Sequence, residues 1–193
     1  MLPLQLRVGE VRQYGVTLMP HINHRRQNIE DVPALYIIQP TQENLDLLIN
    51  DMKNKMYAHF TICFSSEISS ELLKYFAEQC VKHNIQSLVD KIQDLHVNYH
   101  LLENTLFTLA MKNSYQLFND PTIPEDVGMK NITNVVDSLM SICVTLREIP
   151  IIRARSGTTE SVIAQMLTDK LSTLNKKSST FFQRGVSTRP LLI

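Results

Sequence analysis

The chain has 193 residues, of which 44% are hydrophobic and 20% are charged, and its 19 basic and 19 acidic side chains cancel to a formal net charge of zero. This composition is typical of a soluble globular protein, and a neutral chain has no general field that would attract nucleic acid or an anionic membrane. No apolar run approaches the ~20 residues that a membrane span needs, and the N-terminus lacks the apolar core of a signal peptide.

Apolar runs alternate with helical periods along the chain, which indicates an α/β fold. The run from Ala34 to Ile38 is apolar without a break and lies between Pro33 and Pro40, which predicts a strand covered on both faces, as in a parallel sheet. Thr41 and Ser69 or Ser70 are predicted to cap the next two helices. The other elements predicted in the first half are strands at 15–19, 59–64 and 95–99 and a short helix over 88–92.

The periodicity weakens between residues 101 and 124, and we place a domain boundary near Asn104. Beyond it, the predicted elements are a short strand at 107–109, helices over 132–146 and 162–174, strands at 150–153 and 190–193, and a polar linker over 176–179. Asn175 is expected to end the second of these helices. The sequence thus predicts a parallel-sheet, Rossmann-like α/β domain over 1–104 and the start of a second α/β domain over 105–193.

We expect both domains to be incomplete in this chain. The strand predicted at 190–193 stops after three apolar residues, and the first strand signal has no partner strand before it. In doubly wound sheets the first strand commonly lies in the middle of the sheet, so its loss would expose two sheet edges. Poor solubility or self-association of the isolated chain is the expected consequence.

The turn around Gly157 is one candidate for chemistry, because a glycine between a strand and a helix can hold a phosphate at the helix N-terminus. However, the segment 155–160 has a single glycine and matches neither a dinucleotide fingerprint nor a P-loop. Glu160 would also repel an anion. A capped helix start is the simpler interpretation, and a nucleotide- or phosphate-binding enzyme remains the alternative.

The remaining reactive side chains predict no catalytic or metal site and no cofactor. The six histidines have no cysteine or carboxylate at a recognisable ligand spacing, so half-buried or surface positions are expected for them: His21, His24, His59, His83, His96 and His100. The three cysteines, Cys63, Cys80 and Cys143, lie in apolar segments without a pattern, which predicts reduced, buried thiols in a cytosolic protein.

One apolar set suggests more than core packing. Leu72, Leu73 and Phe76 cover more than one side of their predicted helix, and Val97 and Tyr99 mark the strand predicted after it. An apolar groove between a helix and a strand can hold a short peptide. Ordinary core packing is the competing interpretation of the same five residues.

Five segments in order resemble the SM family (Sec-one/Munc-eighteen-like proteins), and the similarity extends from about Leu4 to Ile193. The segments are 31–36 (D-V-P-A-L-Y), 39–44 (Q-P-T-Q-E-N), 136–146 (V-D-S-L with V-T-L), 149–157 (I-P-I-I-R with glycine) and 189–193 (R-P-L-L-I). Each motif is modest, but their order and spacing together are specific. The resemblance is strongest to the ER–Golgi type of the family, called Sly.

The resemblance implies a cytosolic, non-enzymatic protein that binds syntaxins and regulates SNARE assembly before vesicle fusion. In ER–Golgi transport it would reach membranes only through SNAREs. The family's first domain holds a short N-terminal syntaxin peptide, which places Leu72, Leu73, Phe76, Val97 and Tyr99 at that pocket. It also implies that the leading strands of domain one, most of domain two and the helical domain that contacts the SNARE bundle are missing here. An SM protein of another trafficking step remains an alternative.

Overall fold

The structure is a computed structural model that describes residues 8–103, 105–109, 111, 113–177, 182 and 189–193. The chain divides between Leu95 and His96 into two compact units, and each unit has its own hydrophobic core. The domain boundary predicted at Asn104 falls outside the described residues, as do Leu4 and the 178–179 part of the predicted linker.

The first unit contains a three-stranded parallel sheet in the order β1, β2, β3, which confirms the predicted α/β fold class. Its elements in chain order are helix α1 (Val8–Gln13), strand β1 (Ala34–Ile38), helix α2 (Gln42–Lys53), strand β2 (Phe60–Phe64), helix α3 (Ser70–Lys82), a 3-10 helix (Gln86–Leu88) and strand β3 (Val89–Asp94).

Side-chain caps fix the start of both crossover helices, as predicted. The Thr41 hydroxyl accepts a hydrogen bond from the backbone N–H of Asn44 (3.3 Å) at the start of α2. The Ser69 hydroxyl accepts one from the N–H of Leu72 (3.2 Å) at the start of α3. Each cap satisfies a donor that the first helical turn would otherwise leave unpaired.

The core of the first unit lies on a single face of the sheet. Tyr36 and Ile38 of β1 point to the same face as Phe60, Ile62 and Phe64 of β2, because side chains alternate along a strand. Residues of both α2 and α3 belong to the cluster that covers this face: Leu45, Leu48, Ile49, Met52, Phe76 and Cys80. Both crossover helices therefore pack on this same face. The prediction that β1 is covered on both faces is wrong for the described residues, because Leu35 on the opposite face is 58% exposed.

A buried ion pair ties the loop before β1 to α2. Arg26 Nη2 donates to Asp51 Oδ2 (2.6 Å) and to the carbonyl of Ile22 (2.9 Å), and the Tyr36 hydroxyl donates to the same Asp51 oxygen (2.8 Å). The side chains of Arg26 and Asp51 are only 10% and 11% exposed. Burial alone would lower the pKa of Arg26, but its hydrogen bonds to Tyr36 and Asp51 raise it.

Three predicted elements of the first half are wrong. Residues 15–19 form no ladder with any described residue, and Leu18 and Met19 are exposed. An apolar run becomes a strand only where a neighbouring strand can accept and donate its backbone hydrogen bonds. The helix over 88–92 is instead the end of the 3-10 helix and most of β3. The strand at 95–99 is irregular chain, since β3 ends before it at Asp94.

The second unit is dominated by a pair of long helices. Its elements in chain order are strands β4 (His100–Glu103) and β5 (Leu106–Thr108), which pair antiparallel, helices α4 (Ser114–Asn119) and α5 (Glu125–Leu146), strand β6 (Ile151–Ile152), helix α6 (Thr159–Lys177) and strand β7 (Leu191–Leu192), which pairs parallel with β6. Asn175 does not end α6, which continues to Lys177, where a lysine favours the helix C-terminus. The linker predicted over 176–179 is therefore wrong at Lys176 and Lys177, which are helical.

The core of the second unit lies mainly between α5 and α6. Its buried members include Val136, Met140 and Cys143 from α5 and Leu167 and Leu171 from α6. Beside this core, Lys170 of α6 forms an ion pair with Asp137 of α5. The Arg189 guanidinium donates to the carbonyls of Ile149 and Pro150, each at 2.8 Å, and so fastens β7 beside β6.

We expect Asp51→Asn to lower the free energy of unfolding of the first unit by about 3–5 kcal/mol, because it leaves Arg26 buried without its countercharge. Urea denaturation followed by circular dichroism measures this. Glu78→Gln is the matched control: it breaks the exposed Lys74–Glu78 pair (3.9 Å) and should cost no more than about 0.5 kcal/mol. Equal losses in the two variants would contradict the role of the buried pair.

We also expect stability to fall in alkaline solution because of two buried thiols. Burial raises the pKa of Cys80 and of Cys143 to about 11. The folded chain then binds these protons more tightly than the unfolded chain, whose thiols titrate near ~8.5. The resulting stabilisation is complete below that pH and is lost as the pH rises toward 11.

Urea midpoints measured between pH 8 and pH 10.5 test this. The Cys80→Ala variant loses one of the two titrating groups, so its midpoint should fall less steeply with pH than that of the unchanged chain, whatever its absolute stability. Parallel pH dependences of the variant and the unchanged chain would exclude a contribution from Cys80.

Candidate functional site

Helix α3 carries three of the five residues predicted to line a peptide groove, and they differ in exposure. Phe76 is 2% exposed and belongs to the core, and Leu72 is partly buried against that core. Leu73 is 40% exposed. Core packing therefore explains why Phe76 is apolar and largely explains why Leu72 is. Leu73, in contrast, is available to a ligand.

The exposed apolar side chains of α3 form a stripe along one flank of the helix. Leu73 is followed at intervals of four by Ala77 and Val81, both of which are exposed, and this spacing keeps the three on one side. The opposite flank of α3 faces α2, because the Tyr75 hydroxyl donates to Asp46 Oδ1 on α2 (2.7 Å). The stripe consequently lies on the side of α3 away from α2.

Strand β3 lies on that side, because α3 connects β2 to β3 and both helices pack on the same face of the sheet. Ile92 of β3 pairs with Ile62 of β2, so its side chain projects from the helix-covered face, and it is 38% exposed at the edge of the sheet. We call the residues Leu73, Ala77, Val81 and Ile92 the α3–β3 surface. It is an apolar strip between a helix and an edge strand.

Sequence reasoning missed Ile92 because it assigned residues 88–92 to a helix. The segment carries no period-two alternation, because Ile92 has two polar residues on each side, Asp90 and Lys91 before it and Gln93 and Asp94 after it; only the tolerance of an edge strand for charged residues pointed to a strand here. A strand does follow α3, but it is β3 (Val89–Asp94) and not the strand predicted at 95–99.

Val97 and Tyr99 belong to the second unit. Tyr99 is buried, its hydroxyl donates to Thr145 Oγ1 on α5 (3.2 Å), and its ring meets that of Phe107 edge-on, with 6.3 Å between the ring centres. Neighbouring Asn98 also bonds α5, through its backbone N–H to Ser141 and its side chain to Ser138 (3.3 and 3.2 Å). The structure therefore places Leu72, Leu73 and Phe76 on one element and Val97 and Tyr99 in another compact unit.

The Gly157 turn has the geometry of a helix start. Gly157 has φ +74°, and the Thr158 hydroxyl donates to the carbonyl of Arg155 (2.9 Å). A hydrogen bond with Thr158 is the main cause that lowers the pKa of the Glu160 carboxyl, with the Arg155 charge a smaller cause. The anionic form of Glu160 is thus favoured in the first turn of α6, where an anionic ligand would have to bind.

The histidines and cysteines form no recognisable centre in the described part of the chain. No group of three or more histidine, cysteine or acidic side chains there could hold a metal ion. His59 pairs with Asp90 at the exposed start of β2 and β3, with 3.4 Å between Nδ1 and Oδ1. Cys63, Cys80 and Cys143 are free and buried. Among the described helices, none combines the length and apolarity needed to span a membrane.

Comparison with known proteins gives consistent matches over nearly the whole chain. The model of the Sec1 family matches residues 1–193. Protein sly1 of Schizosaccharomyces pombe is 37% identical over 189 residues, which cover 97% of this chain and 30% of that protein. Sec1 family domain-containing protein 1 of Homo sapiens is 35% identical over 170 residues, which cover 86% of this chain and 26% of that protein.

A solved structure agrees with these relatives. The crystal structure of Sly1p in complex with an N-terminal peptide of Sed5p superposes with a TM-score of 0.81 at 32% identity, covering 92% of this chain and 30% of that one. The chain spans about 30% of the length of this structure and of the yeast relative. The resemblance to the SM family and to its Sly type is thereby confirmed, and the chain belongs to the Sec1 family.

Proposed function

We propose that this protein is a SNARE-binding regulator of vesicle docking and fusion that acts in ER–Golgi transport. The observation that supports this most directly is the similarity to Sly1p, whose structure contains an N-terminal peptide of Sed5p. On this proposal the partner is a syntaxin-type SNARE, and the rest of the SNARE complex would contact regions equivalent to the parts of Sly1p that the match does not cover.

We place the peptide on the α3–β3 surface. Leu73 and Ile92 are its half-exposed apolar side chains, Ala77 is a small exposed side chain between Leu73 and Val81 on the helix, and Val81 extends the strip. Leu72 and Phe76 lie behind the strip and support it from the core. An apolar peptide side chain would gain about 25 cal/mol for each Å² of apolar surface buried there. Val97 and Tyr99, in the second unit, stay predictions.

The other properties follow from the same proposal. The protein does no catalysis and needs no cofactor, because its work is binding. It is cytoplasmic and associates with ER and Golgi membranes peripherally, through its SNARE partners. We further propose that residues 1–104 correspond to the later part of the family's first domain and residues 105–193 to the earlier part of the second domain; the two compact units divide slightly earlier, between Leu95 and His96.

The peptide site is tested by replacing its exposed side chains with lysine. We expect Leu73→Lys and Ile92→Lys each to raise the Kd for a labelled syntaxin N-terminal peptide at least tenfold, equivalent to about 1.4 kcal/mol, because a charge would be buried against an apolar side chain. Fluorescence anisotropy with a panel of syntaxin N-termini measures the Kd, in this chain and in the full-length protein.

Leu35→Lys is the matched control. Leu35 is an exposed leucine of β1 that points to the face of the sheet opposite α2 and α3, so the Kd should not change. If the unchanged protein binds a syntaxin peptide and both site variants bind it equally well, the α3–β3 surface is the wrong location. If none of the syntaxin peptides binds the full-length protein, the SNARE-binding function itself is wrong.

The enzyme alternative predicts a bound nucleotide or phosphate at the Gly157 turn. Binding at a hundredfold excess over Kd would stabilise the fold by about 2.7 kcal/mol. Because the Glu160 carboxylate lies in the first turn of α6, we expect ATP, GTP and inorganic phosphate to leave the melting temperature unchanged in a thermal-shift assay. A saturable increase that Gly157→Ala abolishes would support the enzyme instead.

A further inference from the structure

The loop between β6 and α6 combines accessibility with a charge pattern that the proposed SNARE-binding function does not use. Residues 153–157, R-A-R-S-G, are all exposed, and no helix or strand includes them. Ser156 therefore has arginines three residues and one residue before it. Protein kinases select substrates in part by charge pattern, and arginines on this side of the acceptor suit a kinase whose cleft is lined with carboxylates.

The structure separates Ser156 from a nearby hydroxyl that has an arginine at the same spacing. Thr158 lies three residues after Arg155, but it is part of the helix start: its hydroxyl donates to the carbonyl of Arg155 (2.9 Å), and its own carbonyl accepts from both the N–H (3.1 Å) and the hydroxyl (2.7 Å) of Ser161. A kinase would have to open this turn to reach Thr158. Ser156 lies between Arg155 and Thr158 in this turn, but its exposed side chain is not among the groups that these hydrogen bonds join.

The local backbone also favours Ser156. Residues 153–155 continue from β6 without helical or turn structure, and the turn begins only at Ser156. A kinase that binds its substrate as an extended segment could therefore take Arg153 and Arg155 without unfolding a helix. Both arginine side chains are exposed, and neither forms one of the ion pairs found among the described residues. Both guanidinium groups are therefore accessible to a kinase.

We propose that Ser156 is a phosphorylation site for an arginine-directed serine/threonine kinase. The Ser156 hydroxyl oxygen attacks the γ-phosphorus of ATP, its proton passes to the catalytic aspartate of the kinase, and ADP leaves. The phosphate carries about −1.5 to −2 charges near neutral pH, so it would cancel the two positive charges of the loop.

The test incubates the 193-residue chain, and separately the full-length protein, with Mg·ATP and the catalytic subunit of the cyclic-AMP-dependent kinase, and maps phosphate by mass spectrometry. We expect phosphate on Ser156 and at least a tenfold loss of incorporation at this loop in Ser156→Ala. Arg153→Ala should slow modification of Ser156 at least tenfold, and Arg153→Lys should restore part of the rate. Arg25→Ala, which replaces an exposed arginine outside the loop, is the control and should leave the rate unchanged.

Two outcomes would overturn the proposal. One is phosphate on Thr158 while Ser156 stays unmodified. The other is modification only at a distant site, such as Ser187 after Arg184, which lies outside the described residues. Circular dichroism of each variant confirms that it is folded. Because the peptide-binding assay uses α3 and β3 and not this loop, failure here leaves the SNARE-binding proposal standing.

Discussion

Parallel pairing of β1, β2 and β3 is the constraint on which the first unit depends. Parallel neighbours cannot be joined by a tight turn, so each pair requires a crossover, and α2 and α3 are these crossovers. Both pack on one face, which buries Phe60, Ile62 and Phe64 beneath them. Among the described elements of the first unit, no helix follows α3 on this face of the sheet, and the α3–β3 surface results from that arrangement.

The sequence predicted the strongly apolar or clearly periodic elements well and the largely polar strand β3 poorly. Strand β1 and helices α2 and α3 were predictable because an unbroken apolar run, a three-four spacing and a capping hydroxyl each have a local cause. Strand β3 was not, because its edge position allows Asp90, Lys91 and Asp94 to be polar. The strand predicted at 15–19 was wrong for a different reason: its residues are apolar, but a strand also needs a neighbouring strand to pair with, and the local sequence does not show whether one is there.

The candidate site shows the same division. Leu73 could be predicted because it lies on a periodic helix. Tyr99 could not be placed from its apolarity, because its surroundings include Thr145, 46 residues later in the chain. A side chain's preference for burial does not specify which core receives it. Only tertiary contacts distinguish a tyrosine that lines a groove from one that closes another unit's core.

The burial of all three cysteines has a practical consequence for studying this protein. Cys63, Cys80 and Cys143 are the chain's entire complement of thiols, and each is enclosed in the folded state. A single cysteine introduced on an exposed position would then be the one thiol that a maleimide dye reaches quickly. Fluorescent or spin-label reporters could thus be placed on either unit without first removing the native cysteines, whose replacement would leave cavities in the cores.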